Sequence, residues 1–141
     1  MLHSVSAAAE SLVHSIPTWK NDWEWKGSVP YHDKGGVYAL FDASHTIVYI
    51  GLGASVGGGL YKAHGISRRL LAHVITTDRT KGRGHYTPQK QWSEVTAIGA
   101  IGFPTEYAYL APALEDYLIG ILNPPRNNTK KRLTITDAID A

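Results

Sequence analysis

Cysteine is absent from all 141 residues of the chain. Its absence excludes disulfide bonds, thiolate zinc sites and cysteine nucleophiles together. The sequence also lacks an apolar run of about 18 residues, the length needed to cross a bilayer. Residues 1–4 show no basic segment leading into an apolar one, so no secretory signal is expected. We therefore expect a cytoplasmic protein that makes no membrane contact.

Excess charge is also scarce. The net charge is +2 with histidine neutral, which is mild for a protein that binds nucleic acid, so any basic surface must come from the distribution of lysine and arginine. Three basic clusters occur: Arg68 and Arg69; Arg79, Lys81 and Arg83; and Lys130, Lys131 and Arg132. On composition alone, such clusters are more typical of solvated loops and tails than of a recognition surface.

The most informative stretch that is present is a hairpin pattern at residues 36–51. Residues 37–41 alternate between two faces, as in a β-strand. Residues 42–45 favour a turn, because Asp and Ser side chains can bond the local backbone. Residues 46–50 are β-branched and aromatic, which is typical of a returning strand. Each strand carries a tyrosine close to a glycine, Tyr38 and Tyr49.

Two motifs in this hairpin, Gly36-Val37-Tyr38 and Tyr49-Ile50-Gly51, resemble the paired signature of the GIY-YIG nuclease superfamily, with Val in place of the first Ile. Such nucleases place an arginine on a helix after the second motif, a glutamate on a later helix and an asparagine beyond a proline. Arg69, Glu115 and Asn127 match these positions in order. The resemblance spans about residues 35–128 and covers five elements.

The resemblance implies a small α/β (α+β) domain, in which a central, mostly antiparallel sheet of three strands is flanked by helices. Residues 35–128 would form this domain. Residues 1–34 would be an N-terminal helix and a Trp-rich extension, and residues 129–141 a C-terminal tail. We expect the tryptophans of the extension to cap the sheet, with base stacking as the alternative.

The same resemblance implies a metal-dependent endonuclease that hydrolyses phosphodiester bonds of double-stranded or branched DNA. Tyr49 would be a candidate general base, and Tyr38 would position water or phosphate. Arg69 would neutralise developing negative charge, and Glu115 would hold one Mg²⁺ or Mn²⁺. Asn127 would orient the site by hydrogen bonding. A homo-oligomer or a separate targeting partner could supply further recognition, and the cations expected to contact DNA are Arg68, Lys81, Arg83 and Lys90.

The helix that carries Arg69 is predicted to start at an N-cap, Ser67, and to run to about Val74. Its apolar face would comprise Leu70, Leu71 and Val74. Arg69 and His73 are four residues apart, so both side chains point to one side of this helix. A guanidinium beside a titratable imidazole suits a phosphate site, which makes His73 a further candidate catalytic residue.

Glu115 is predicted to lie on a largely apolar helix face, in a helix that begins near Thr105 and is interrupted or restarts at Pro112. The core stripe of that helix would be Leu114, Leu118 and Ile121. A buried carboxylate there would cost several kcal/mol unless it were paired or bound a metal. Asp116, one step around the helix, should face solvent and provides a control.

Three further expectations concern the connections. The family often has a lysine just past the second motif, where this chain has Leu52, so Lys62 or His64 could supply that function. Residues 51–59 are glycine-rich but lack the Gly-Lys-Ser/Thr ending of a phosphate loop, which leaves a nucleotide enzyme as a minor alternative. Residues 76–92 are predicted to be a mobile, basic loop. The other alternative to an endonuclease is a nucleic-acid-binding module that does not cleave.

Overall fold

The computed structural model describes residues 18–53 and 64–129. In chain order, its elements are β1 (Gly35–Phe41), β2 (Ile47–Gly53), α1 (Gly65–His73), β3 (Ile75–Thr77), β4 (Tyr86–Pro88), β5 (Ala97–Phe103) and α2 (Leu110–Leu122). Short 3-10 turns occur at Lys90–Trp92, Thr105–Tyr107 and Pro125–Thr129. Lys62, the predicted N-terminal helix, most of the glycine-rich stretch and residues 130–141 lie outside the described residues.

The centre of the fold is an antiparallel three-stranded sheet in the order β2–β1–β5. Both faces of the middle strand are buried: Tyr38 and Leu40 point into one hydrophobic cluster, and Val37 and Ala39 point into another. Helix α1 covers the Tyr38 face, and α2 covers the opposite face. The predicted α+β fold, with a three-stranded antiparallel sheet flanked by helices, is confirmed.

The turn between β1 and β2 forms as its residues predict. The Asp42 carboxylate accepts hydrogen bonds from the backbone N–H groups of Ser44 (2.9 Å) and Thr46 (3.0 Å). His45 adopts a left-handed backbone conformation, with φ of 60°. These local bonds satisfy the turn backbone and fix the register in which Tyr38 lies opposite Gly51.

The N-terminal boundary predicted for α1 is wrong. The helix begins at Gly65, two residues before Ser67, and His64 occupies the N-cap position. Ile66 explains the difference, because it is fully buried and its backbone N–H donates to the carbonyl of Lys34 (3.1 Å). Leu71 was expected in the core but is 47% exposed. Tertiary contacts at Ile66 have thus overridden the local preference of Ser67 as a cap.

Residues 76–92 are a structured hairpin rather than the predicted loop, because β3 and β4 pair in a second, antiparallel sheet. The turn is ordered by Asp78, whose carboxylate accepts hydrogen bonds from the hydroxyl (2.6 Å) and backbone N–H (2.9 Å) of Thr80. These bonds lower the pKa of Asp78. Gly82 and Gly84 supply two positive φ angles. The β-bridge between Lys26 and His85 joins this hairpin to the Trp-rich extension.

Helix α2 begins at Leu110, later than predicted, and continues through Pro112 without interruption. A proline is tolerated there because the N–H groups of the first helical turn have no intrahelical partner. Ile121 was predicted in the core stripe but is 59% exposed, whereas Ala111 and Ile119 are buried. Asp116 faces solvent as predicted.

The Trp-rich extension packs against the sheet, in agreement with the expected capping role. Trp23 and Trp25 lie 5.3 Å apart between ring centroids and contact the hydrophobic cluster on the Tyr38 face. The indole N–H of Trp25 donates to the carbonyl of Thr96 (3.0 Å). Neither helix in residues 18–53 and 64–129 combines the length and apolar character needed to cross a membrane.

Candidate active site

A pocket of about 260 Å³ opens beside the signature hairpin. Its walls are formed by Tyr38, Tyr49, Arg69, His73, Val74, Gln91, Trp92 and Arg126. Four of these side chains are residues that the sequence singled out: Tyr38 from β1, Tyr49 from β2, and Arg69 and His73 from α1. The structure therefore brings together, on one surface, residues up to 35 positions apart in the chain.

The two tyrosines meet because of the strand register. Tyr38 lies opposite Gly51, and Tyr49 lies opposite Leu40, two residues along the same face. The two tyrosine ring centroids are 6.2 Å apart. The Tyr38 ring lies directly over Gly51, where an added Cβ would approach its Cε2 to 2.7 Å and its Cζ and hydroxyl more closely. Because Gly51 has no side chain, it leaves room for the ring of Tyr38.

Tyr38 is a neutral phenol in this setting. Its side chain is buried, and this burial raises its pKa well above 10.0, with a further rise from the charge of Tyr49. The Arg69 guanidinium opposes the rise through its positive charge and through a hydrogen bond to the Tyr38 side chain. Tyr38 can therefore position a phosphate or a water by hydrogen bonding, but it does not serve as a base at neutral pH.

Glu115, on α2, is not among the residues that line this pocket. Its carboxylate raises the pKa of Tyr38, although less than burial does, so the two groups are within electrostatic reach. Glu115 is half-buried rather than buried, so the cost of removing its carboxylate from water is smaller than the sequence predicted. Among the described residues, no three histidine or acidic side chains gather as a metal-binding group. One carboxylate nevertheless fits Mg²⁺, which usually takes one or two protein carboxylates together with waters and substrate phosphates.

No protein-family model, curated protein or solved structure matches this chain. The relation to the nuclease superfamily remains a resemblance in the motif residues, and their placement around one pocket is a separate observation.

Asn127 has a clear positional role. Its side-chain oxygen accepts a hydrogen bond from the Ile50 backbone N–H (2.8 Å), and its side-chain amide donates to the Ile50 carbonyl (2.9 Å). This pair of bonds imitates a neighbouring strand at the outer edge of β2. Asn127 is not among the residues that line the pocket. It fixes the Pro125–Thr129 turn to the strand that carries Tyr49, and a direct part in catalysis stays a prediction.

Sequence reasoning missed three pocket residues, Gln91, Trp92 and Arg126. The Trp92 ring lies 5.0 Å from Tyr49 between centroids, and its indole N–H donates to the carbonyl of His73 (2.9 Å). The Arg126 guanidinium stacks 4.0 Å above the Trp92 ring. Two signals were available: Trp92 is the one tryptophan outside the N-terminal extension, and Arg126 directly precedes Asn127.

The other predicted site residues lie away from these walls. His64 sits at the N-terminal end of α1, roughly 13 Å from the His73 end of the nine-residue helix. Its Nδ1 is buried and has no hydrogen-bond partner among the described residues, and its ring centroid is 6.4 Å from that of His32. The four cations predicted to contact DNA are all exposed: Arg68, Lys81, Arg83 and Lys90.

Proposed function

We propose that this protein is a metal-dependent endonuclease that hydrolyses DNA phosphodiester bonds in the pocket beside β1 and β2. The observation that carries the proposal is the convergence of Tyr38, Tyr49, Arg69 and His73 on one surface. Glu115 lies within electrostatic reach of the same pocket. A phosphodiester needs cationic donors, groups that move protons and a site for a divalent metal, and this set of residues can provide each of them.

The roles follow from the surroundings of each side chain. Arg69 donates to phosphate oxygens and offsets the negative charge that develops in the transition state. Tyr38, kept neutral by burial, hydrogen-bonds the phosphate or the attacking water. Tyr49 faces Tyr38 across the strands and is our candidate general base, with His73 as the alternative proton acceptor.

Glu115 is the residue that we propose to hold one Mg²⁺ or Mn²⁺. When bound, such an ion supplies charge neutralisation at the phosphate and at the leaving oxygen. Asp116 is the natural control for this assignment, because it sits on the same helix, carries the same charged group and faces solvent.

The β3–β4 hairpin supports DNA as the substrate. Its turn carries Arg79, Lys81 and Arg83, all exposed, and its single acid, Asp78, is engaged by Thr80. The hairpin starts at Ile75, next in the chain to the pocket residue Val74, and we propose that DNA bound in the pocket also contacts these cations. A cytoplasmic location and a homo-oligomer or targeting partner remain predictions.

The test is cleavage of supercoiled plasmid and branched DNA by wild type, Glu115→Ala and Asp116→Ala, each with Mg²⁺ and with chelator. We expect metal-dependent nicking or linearisation by wild type and Asp116→Ala, and at least a hundredfold loss in Glu115→Ala. DNA binding without cleavage by wild type would instead favour a non-cleaving binding module. Equal activity of all three proteins would refute the assignment of Glu115.

A further inference from the structure

Arg126 brings a second guanidinium to the pocket, from a part of the chain remote from Arg69. Its side chain donates one hydrogen bond to the Glu94 carboxylate and another to the Gln91 carbonyl (3.0 Å). The guanidinium lies over the ring of Trp92, at 4.0 Å from the ring centroid. The Arg126 and Glu94 side chains are 34% and 39% exposed, so this ion pair lies at the rim of the pocket and is open to solvent.

The position of Arg126 is set by its neighbours on both sides. Asn127 ties the adjacent backbone to Ile50 of β2 through two hydrogen bonds. Trp92, on which the guanidinium rests, is itself fixed by its bond to the His73 carbonyl. A planar guanidinium held by stacking loses little additional freedom when it binds an anion, so Arg126 is already positioned to bind one.

Glu94 occupies the place of an anionic ligand. A guanidinium recognises carboxylates and phosphates through the same forked geometry. An ion pair exposed to this extent contributes little to stability, so a phosphate can displace its carboxylate at little cost. The contact between Arg126 and Glu94 can therefore open when a phosphate backbone enters the pocket.

We propose that Arg126 binds a DNA phosphate that neighbours the cleaved one, and that Glu94 is its intramolecular partner until DNA arrives. This inference rests on the proposed nuclease function. The two arginines lie beside different members of the pocket wall: Arg69 lies near Tyr38, whereas Arg126 lies on Trp92, which contacts Tyr49. Arg126 is thus a substrate-binding residue that sets which phosphate reaches Arg69 and the tyrosine pair.

The experiment measures binding of a short labelled DNA duplex by fluorescence anisotropy in chelator, over a range of salt concentrations. The panel is wild type, Arg126→Ala, Arg126→Lys, Glu94→Gln and the double variant Arg126→Ala/Glu94→Gln. Glu106→Gln is the matched control, because it removes one exposed acid from a different surface. Cleavage kinetics of the same proteins with Mg²⁺ give KM and kcat, and thermal unfolding verifies that each variant is folded.

Loss of one phosphate contact should reduce the slope of log K against log salt by about 0.9 in Arg126→Ala, while Arg126→Lys retains the slope. Arg126→Ala should weaken binding about tenfold and raise KM, with kcat changed less than threefold. Glu94→Gln should tighten binding severalfold more than Glu106→Gln does. That additional gain should disappear when Arg126 is alanine.

Two results would overturn the inference while leaving the nuclease proposal intact. One is a wild-type salt slope and KM in a folded, active Arg126→Ala protein. The other is tighter DNA binding by Glu94→Gln that persists when Arg126 is alanine. That result would mean that the ion pair between Arg126 and Glu94 only holds two surface turns together. A wild-type protein that neither binds nor cleaves DNA would instead overturn the proposed function, and this inference with it.

Discussion

Replacing Gly51 with alanine should destabilise the protein, because the added Cβ would collide with the ring of Tyr38 on the neighbouring strand. The added Cβ would lie 2.7 Å from Cε2 of Tyr38 and closer to its Cζ and hydroxyl, well inside the roughly 3.5–4.0 Å of ordinary carbon contacts. Tyr38 is 1% exposed and belongs to the hydrophobic cluster that α1 covers, so the ring can shift only toward the pocket that it lines. Any shift also changes the position of the Tyr38 ring relative to Arg69, which shares the pocket wall with it.

Overpacking of this kind typically costs 1–3 kcal/mol. We therefore expect Gly51→Ala to lower the free energy of unfolding by about 1–3 kcal/mol and to reduce the proposed nuclease activity. Gly120→Ala is the control, because no atom of the described residues, apart from its neighbours in the same helix, lies within 4 Å of the Cβ that it would add to α2. Removing a glycine from an exposed helix interior should raise stability by about 0.5–1 kcal/mol. The same substitution thus has opposite signs at the two positions.

Urea denaturation of a double-mutant cycle isolates the clash. In a Tyr38→Ala background the ring is gone, so Gly51→Ala should cost at least 1 kcal/mol less there than in wild type. Equal destabilisation by Gly51→Ala with and without the tyrosine ring would refute a steric clash as the cause. A variant as stable as wild type would refute the clash as well.

Two other predictions concern stability. Asn127→Ala leaves the Ile50 N–H and carbonyl without their side-chain partner, so unfolding free energy should fall by about 1–3 kcal/mol in urea titrations; an unchanged midpoint would contradict the edge role. The raised pKa of Tyr38 means that folding favours its protonated form, so its contribution is complete below pH ~10 and is lost as the pH rises above that value. Wild type should lose stability relative to Tyr38→Phe between pH ~9 and ~11, whereas a constant difference would contradict the shift.

The sheet was predictable because its signals are local and agree with one another. The hairpin of β1 and β2 has alternating strands and an Asp-Ser turn, and its Asp42 bonds form as expected. Residues 95–101 also alternate in the way that predicts a strand, and β5 forms at Ala97–Phe103. The four pocket residues Tyr38, Tyr49, Arg69 and His73 followed from motif order and helix spacing.

The errors arose where long-range contacts decide the outcome. Residues 76–92 are polar and rich in glycine, so nothing in their periodicity predicts β3 and β4. Their pairing depends on the Asp78 turn and on contacts with the Trp-rich extension, including the bond from the Tyr86 N–H to the Trp25 carbonyl (2.9 Å). Trp92 and Arg126 were not predicted as pocket residues for the same reason, because their positions depend on partners far along the chain.

The central claim is that the pocket beside β1 and β2 performs the hydrolysis, and the most direct test removes one oxygen from it. Tyr49→Phe keeps the ring that packs against Trp92 but lacks the hydroxyl of the proposed base. Tyr117→Phe, on the solvent-exposed face of α2, is the matched control. Single-turnover cleavage of a labelled duplex should slow by about 10²–10⁴-fold in Tyr49→Phe, with unchanged DNA affinity and with Tyr117→Phe equal to wild type. Cleavage by Tyr49→Phe at the wild-type rate would contradict the account.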